Sequence, residues 1–221
     1  MDYTFTCERF DIRRTLFCGQ AFRWKELDGR FCGIAGGRYA EISDNGDSTY
    51  TVHGIEKSDI SYWQSYFDLD TDYDALIKQF SEDEHMKLAC KENPGIRVLR
   101  QEPFETLISF IISQNNNIKR ITGIIDRLCE NFGEKTDKGY MFPTLEKLVG
   151  VTAEDLAPLR AGFRARYIVD AVEKLSSGEV SLDGIKAMDT AAAREELKRI
   201  KGVGDKVADC VLLFGLSLIH I

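Results

Sequence analysis

Short mixed runs of apolar and polar residues at 23–34 flank Asp28-Gly29, and similar runs at 38–52 flank Asn45-Gly46. These dipeptides favour tight reversals, so the pattern predicts two hairpins and an antiparallel sheet in the first part of the chain. From Ser58 the spacing becomes helical. It is clearest at Phe104, Leu107, Ile108, Ile111 and Ile112, then at Ile118, Ile121, Ile125, Leu128 and Phe132, which recur every three or four positions. Two helices are predicted there, broken by Ser113-Gln114-Asn115-Asn116-Asn117. Further helices fit residues 145–149, a short one capped by Thr152 with Asp155, 165–175 stopped near Gly178, and 191–199. No repeat and no long linker interrupts this order.

Composition narrows the class without changing that outline. With 221 residues, 43% hydrophobic and 29% charged, the chain can bury a core without staples, and Gly 18 with Pro 4 excludes a low-complexity chain. The apolar stretches at 107–112 and 211–216 are too short to span a membrane, and Met1-Asp2-Tyr3-Thr4-Phe5 lacks a basic segment followed by an apolar one. No membrane role and an intracellular location are expected: cytoplasm or nucleoid in a prokaryote, nucleus in a eukaryote. Cys7, Cys18, Cys32, Cys90, Cys129 and Cys210 form no C-x-x-C pair and are expected as reduced thiols.

The net charge of -7 opposes a nucleic-acid partner until its distribution is considered. Residues 1–85 hold 9 basic and 17 acidic side chains, whereas residues 86–221 hold 20 and 19 and include Arg160, Arg164 and Arg166. The acid surplus therefore lies wholly in the sheet-forming part.

Several motifs fail. Asp68-x-Asp70-x-Asp72 starts like a calcium loop, but Tyr73 stands where glycine is needed and Gln79 where glutamate is needed, so a solvated acidic loop is expected. His53, His85 and His220 share no metal-ligand spacing and are read as surface or packing residues. Gly202-Val203-Gly204 is no dinucleotide fingerprint, because a helical pattern precedes it and Val207 replaces the third glycine. It fits a helix-hairpin-helix instead. The amides of Gly204 to Val207 would open a helix whose dipole suits a phosphate, a grip on backbone that reads no bases.

Lys206 stands in the first turn of that helix, a poor place for a cation. Partial burial at a positive helix end would leave some free amine able to attack a sugar C1′. A simple phosphate contact is the plainer reading of the same lysine.

Three segments, Gly19-Gln20-Ala21-Phe22-Arg23-Trp24, Ser109 to Ile118 with Arg120-Ile121-Thr122-Gly123, and Gly202-Val203-Gly204-Asp205-Lys206-Val207-Ala208-Asp209-Cys210, closely resemble the 8-oxoguanine DNA glycosylase family. Gly162-Phe163-Arg164-Ala165-Arg166-Tyr167 agrees with it in order and spacing. The resemblance implies an α+β fold: an antiparallel sheet domain with flanking helices at 1–95, then a helical helix-hairpin-helix glycosylase domain at 96–221 with the motif at about 190–216.

It also implies base excision from duplex DNA containing oxidised guanine, by a monomer without cofactor or metal, followed by lyase cleavage on the 3′ side. The hairpin carbonyls would at most hold a monovalent cation by superfamily analogy. Lys206 matches the nucleophile, and Cys210 the residue against the face of the flipped base, in a dry pocket between Cys210 and Gly19. Gly19 matches the carbonyl that accepts N7–H, which normal guanine lacks; facing an acceptor instead would cost roughly 1–3 kcal/mol. Phe22 belongs with the substrate-binding residues. Asn115 matches the residue that fills the gap left by extrusion and contacts the orphaned cytosine, with Arg120 and Arg164 as its partners. Phe163 matches a wedge that is more often tyrosine. Asn116, Gly202, Gly204 and Val207 match backbone contacts.

Each residue also has a plain structural reading: Asn115 and Asn116 as a helix cap, Arg164 and Arg166 as a solvated face, Cys210, Phe22 and Trp24 as core. Two departures stand out. Lys201 occupies a place where proline is common, which removes rigidity and adds a cation. The Val-Asp-x-His context that carries the family's aspartate is not reached before Ile221, and Asp209 is the only acid after Lys206. On this reading the chain is truncated and weakly active or inactive, leaving a non-catalytic DNA-binding fragment as one alternative. A monofunctional alkyladenine-type glycosylase is the other, opposed by Lys206 together with Cys210.

Overall fold

The computed structural model describes residues 1–218, so His220 lies outside the described residues. The first two elements are ones the hydrophobic spacing did not disclose. Strand β1 (Tyr3–Thr6) is only four residues long, and helix α1 (Ile12–Phe17) only six; Asp11 caps α1 by accepting the Arg14 amide at 2.8 Å. Strands β2 (Trp24–Leu27) and β3 (Arg30–Ala35) pair across Asp28-Gly29 as predicted, with both turn residues at positive φ, 50° and 77°.

In the second hairpin, β4 (Arg38–Gly46) and β5 (Thr49–His53), the reversal falls at Asp47-Ser48, not at Asn45-Gly46. The register slips between Asp44 and Gly46, where the Asp44 carboxylate accepts the Gly46 amide and the Asn45 side chain donates to Thr51. That bulge takes up the dipeptide and passes the turn two residues on. The sheet order is β1-β5-β4-β3-β2.

Residues Met1–Ile34 with Arg38–Arg100 form one unit. It also holds α2 (Ile60–Tyr66), α3 (Tyr73–Phe80) and α4 (Glu84–Glu92). Its core is aromatic: Trp24, Trp63, Tyr66 and Phe67 meet with centroids 5.1–6.1 Å apart, and the Trp24 indole donates to the Tyr66 hydroxyl at 2.8 Å. Trp24 lies across Gly33, where any Cβ would come within 2.5 Å of the indole.

Arg97 and Gln20 fasten residues 96–100 to this unit. The buried Arg97 guanidinium donates to the carbonyls of Arg9, Asp68 and Thr71 and lies over Tyr73. Asp68 is therefore not part of a solvated acidic loop. Its carboxylate is buried against Arg100, Thr71 and Tyr73, because the loop folds inward onto Arg97; Asp70 and Asp72 are exposed, and Asp72 caps α3. His53 bonds Ser43 and Asp2, and His85 is exposed.

The Gln20 amide, also buried, donates to the carbonyls of Thr15 and Arg97 and accepts from the Leu99 amide, all at 2.8–2.9 Å. Gln20→Leu strands those groups and is expected to cost roughly 2–4 kcal/mol. Urea unfolding measures it, and an unchanged midpoint would show that the latch contributes nothing.

The second unit comprises Ala35–Gly37 and the chain from Gln101. Helix α5 (Pro103–Ser113) is buried nearly all round, with Leu107, Ile108, Ile111 and Ile112 at 0% exposure, and lies against α6 (Ile118–Phe132). After a two-residue ribbon, β6 (Lys135–Thr136) and β7 (Gly139–Tyr140), come α7 (Leu145–Leu148), α8 (Arg164–Ser176), α9 (Leu182–Ile185), α10 (Thr190–Lys198) and α11 (Asp205–Phe214). Helices α8 and α11 also pack on α5.

The Thr152–Asp155 capping bonds form, but no α-helix follows them. Pro158 allows only a 3-10 turn at Ala157–Leu159, and Arg160, at φ 55°, ends it. All six cysteines are free thiols. Among the described residues, no helix is long and apolar enough to cross a membrane, and no group of His, Cys, Asp or Glu is arranged to hold a metal ion.

Candidate active site and nucleic-acid interface

The loop between α5 and α6 is held from below by one arginine. Arg164, only 3% exposed, donates to the carbonyls of Gln114, Asn115 and Ala161, and its guanidinium lies 4.5 Å from the centroid of the Phe163 ring. Burial pushes its pKa down, and the neighbouring Arg120 pushes the same way, so these two cations share one region. Arg164 is thus no solvated face. Its donors are engaged with backbone, while Arg120 is exposed on the first turn of α6.

With its carbonyl so held, Asn115 adopts φ 47° and stands exposed. The helix cap is Asn117, whose side chain accepts the Arg120 amide at 3.0 Å; Asn116 turns back to the Ile112 carbonyl at 3.1 Å. Asn115 caps nothing. Phe163 precedes α8 with 51% of its surface exposed, and its ring meets Tyr167 edge-on at 5.6 Å.

The hairpin joins α10 to α11. Lys198 bridges them, pairing with Glu195 and with Asp205 at 2.9 Å each, and Arg194 pairs with Asp209 at 2.6 Å. Asp209 is therefore occupied across the helix pair. Gly202 has φ 82°, and a Cβ there would lie 2.3 Å from the Tyr167 ring; Gly204 caps α11 in extended geometry with nothing within 4 Å of a Cβ. No side chain caps α11, while Val207 is buried beneath its first turn.

Lys206 is exposed, not partly buried, because the first turn of α11 leaves its side chain outside the core. Its ammonium sits 4.9 Å from the centroid of the Phe110 ring, which stacks on Phe214, and its charge acts on the Cys210 thiol one turn on. Burial pushes the Cys210 thiol up, while Lys206 favours the thiolate and pulls the other way. Iodoacetamide labelling of Cys210 should therefore rise only above the pH at which ordinary thiols react, and Lys206→Ala should move that rise higher still. Peptide-resolved mass spectrometry across pH checks this, and a midpoint at or below the ordinary range would contradict it.

In the sheet unit, Gly19 follows α1 with φ 97°. Phe22 is buried at 7% exposure beside Ala21 and Trp24, as its core reading anticipated. The sequence reading missed Phe110, Asn117, Tyr167 and Asp170. Three of them, Phe110, Asn117 and Tyr167, lie within the family-like segments, where Asn117 carried a cap signal and the two aromatics stood outside the apolar spacing.

A helical unit with a Gly-x-Gly hairpin opening a lysine-bearing helix defines a class. Residues 108–209 match the model of the HhH-GPD superfamily base excision DNA repair proteins. Residues 3–107 match that of the 8-oxoguanine DNA glycosylase N-terminal domain, and the chain belongs to the 8-oxoguanine DNA glycosylase family.

An N-glycosylase/DNA lyase of Saccharomyces cerevisiae is 40% identical over 174 residues, covering 72% of this chain and 46% of that protein. N-glycosylase/DNA lyase OGG1 of Arabidopsis thaliana is 32% identical over 214 residues, covering 90% and 59%. The chain thus spans about half the length of these relatives. The 8-oxoguanine glycosylase/lyase of Clostridium acetobutylicum, solved with double-stranded DNA containing cytosine opposite 8-oxoG, superposes with TM-score 0.91 at 39% identity, over 95% of this chain and 74% of that one.

Proposed function

We propose that the protein excises 8-oxoguanine from duplex DNA and cleaves the resulting abasic site through a lysine Schiff base. The observation that carries this reading is the exposed Lys206 at the mouth of the hairpin helix, with Cys210 one turn behind it. The neutral amine attacks C1′, the C1′–N9 bond breaks with its electron pair leaving on the base, and the amine sheds a proton as the sugar ring opens to an imine. Loss of the C2′ proton then expels the 3′ phosphate.

Around that step, Cys210 packs on the face of the flipped base. Asn115 fills the gap and contacts the orphaned cytosine with Arg120, and Phe163 wedges the kinked duplex. Arg164 holds the backbone that presents Asn115, with four of its five N–H donors on those carbonyls, and is its partner at the orphaned cytosine. Asn116 and the amides of Gly202, Gly204 and Val207 bind backbone phosphate.

Borohydride trapping tests the proposal on duplexes carrying 8-oxoguanine opposite cytosine, an abasic site, or no lesion. Covalent adducts on the first two and none on the third are expected. Binding to all three with no adduct on any would replace the enzyme with a DNA-binding module.

A further inference from the structure

Tyr167, Asp170 and Lys174 lie at i, i+3 and i+7 on α8, a single stripe of that helix, and all three meet the hairpin. The Tyr167 ring fills the space that a Gly202 side chain would need. One oxygen of Asp170 accepts the backbone amide of Lys201 at 2.7 Å. Lys174 pairs with Asp170 at 3.3 Å and donates to the Arg199 carbonyl, closing a ring of contacts from helix to hairpin and back. The Asp170 and Lys174 side chains are only 16% and 22% exposed.

We propose that Asp170 is a positioning residue for the hairpin: its carboxylate pins the Lys201 amide and so fixes the backbone that receives the DNA phosphate. This rests on the hairpin being the phosphate site. Lys201 stands where the family commonly has proline, which lacks an N–H and has a fixed φ. In this chain the bond to Asp170 would restrain the backbone that the lysine leaves free.

Charge and hydrogen bonding predict opposite signs. An acid beside a phosphate site repels DNA, so its removal should by Coulomb's law alone tighten binding. D170A and D170N make the same charge change, and only asparagine keeps an acceptor for the Lys201 amide. Affinity for a duplex with a non-cleavable abasic analogue, measured by anisotropy at fixed salt, is expected to fall about five- to tenfold in D170A and to match or exceed wild type in D170N. In a K201P background, which has no N–H to pin, D170A should change affinity by less than about twofold, because one partner of the bond is already gone.

Equal affinities for D170A and D170N, or a full D170A penalty in the K201P background, would overturn the proposal. The comparison of D170A with D170N stands even if K201P fails to fold. Hydrogen exchange of the Lys201 amide, read by NMR without DNA, is expected to quicken about tenfold in D170A and not in D170N. Wild-type protein that ignores the abasic duplex would overturn the phosphate reading and with it the positioning role, while the exchange rates still report whether the pin exists. Unchanged exchange in D170A would remove the pin itself.

Discussion

Lys206→Ala is expected to cut the borohydride-trapped adduct on an abasic duplex to background, a loss of at least about a hundredfold. An amine held at the sugar acts with an effective concentration on the order of 10⁵ M or more, which no amine arriving from solution approaches. Lys206 projects from the first turn of α11, with the Phe110 ring 4.9 Å from its ammonium and Cys210 one turn on. Lys206→Arg separates chemistry from attraction. Arginine keeps the positive charge and stays protonated, so DNA affinity should change by less than about threefold while the adduct is still lost. Retention of more than a tenth of the adduct in Lys206→Ala would point to another amine, with Lys201 on the same hairpin the first to test.

The two hairpin glycines should not be equivalent. Gly202→Ala places a Cβ 2.3 Å from the Tyr167 ring at φ 82°, a left-handed backbone that alanine occupies at a penalty of about 1–2 kcal/mol before any clash. With displacement of a ring that also meets Phe163, the total should reach roughly 3 kcal/mol or more, and affinity for the abasic duplex should fall at least about tenfold. Gly204→Ala meets nothing within 4 Å and has φ -98°, which any residue adopts. Its helix-cap penalty is expected to stay below about 1 kcal/mol. Chemical denaturation and anisotropy of both variants decide the point, and equal losses would show that the motif needs two glycines for a reason other than space.

The elements that were legible in the sequence were those with a long period or a strong turn. Helices α5, α6, α8 and α10 and the reversal at Asp28-Gly29 followed from apolar spacing and one dipeptide. Strand β1 and helix α1 have too few residues for a period to show, whereas the equally short α7 was legible at 145–149. The turn at Asn45-Gly46 misled because a local hydrogen bond from Asp44 converts that dipeptide into a bulge, which no count of residue types reveals. At the site, residue identities were legible and their engagements were not. Arg164 reads as a surface cation in sequence and is buried because three carbonyls, 3 to 50 positions away, converge on it. Asp68 is the same case in the sheet unit: an apparent solvated acid that a distant arginine turns inward.

The commitment of Arg164 to those carbonyls makes the α5–α6 loop and any ligand of that guanidinium rivals for one resource. Thermodynamic linkage then runs in both directions. A ligand that drew Arg164 away would loosen the loop that presents Asn115, and a substitution that loosened the loop would raise the affinity for that ligand. Recognition at this spot is therefore an exchange of partners, and its free energy is the difference between two sets of hydrogen bonds, not the sum of one.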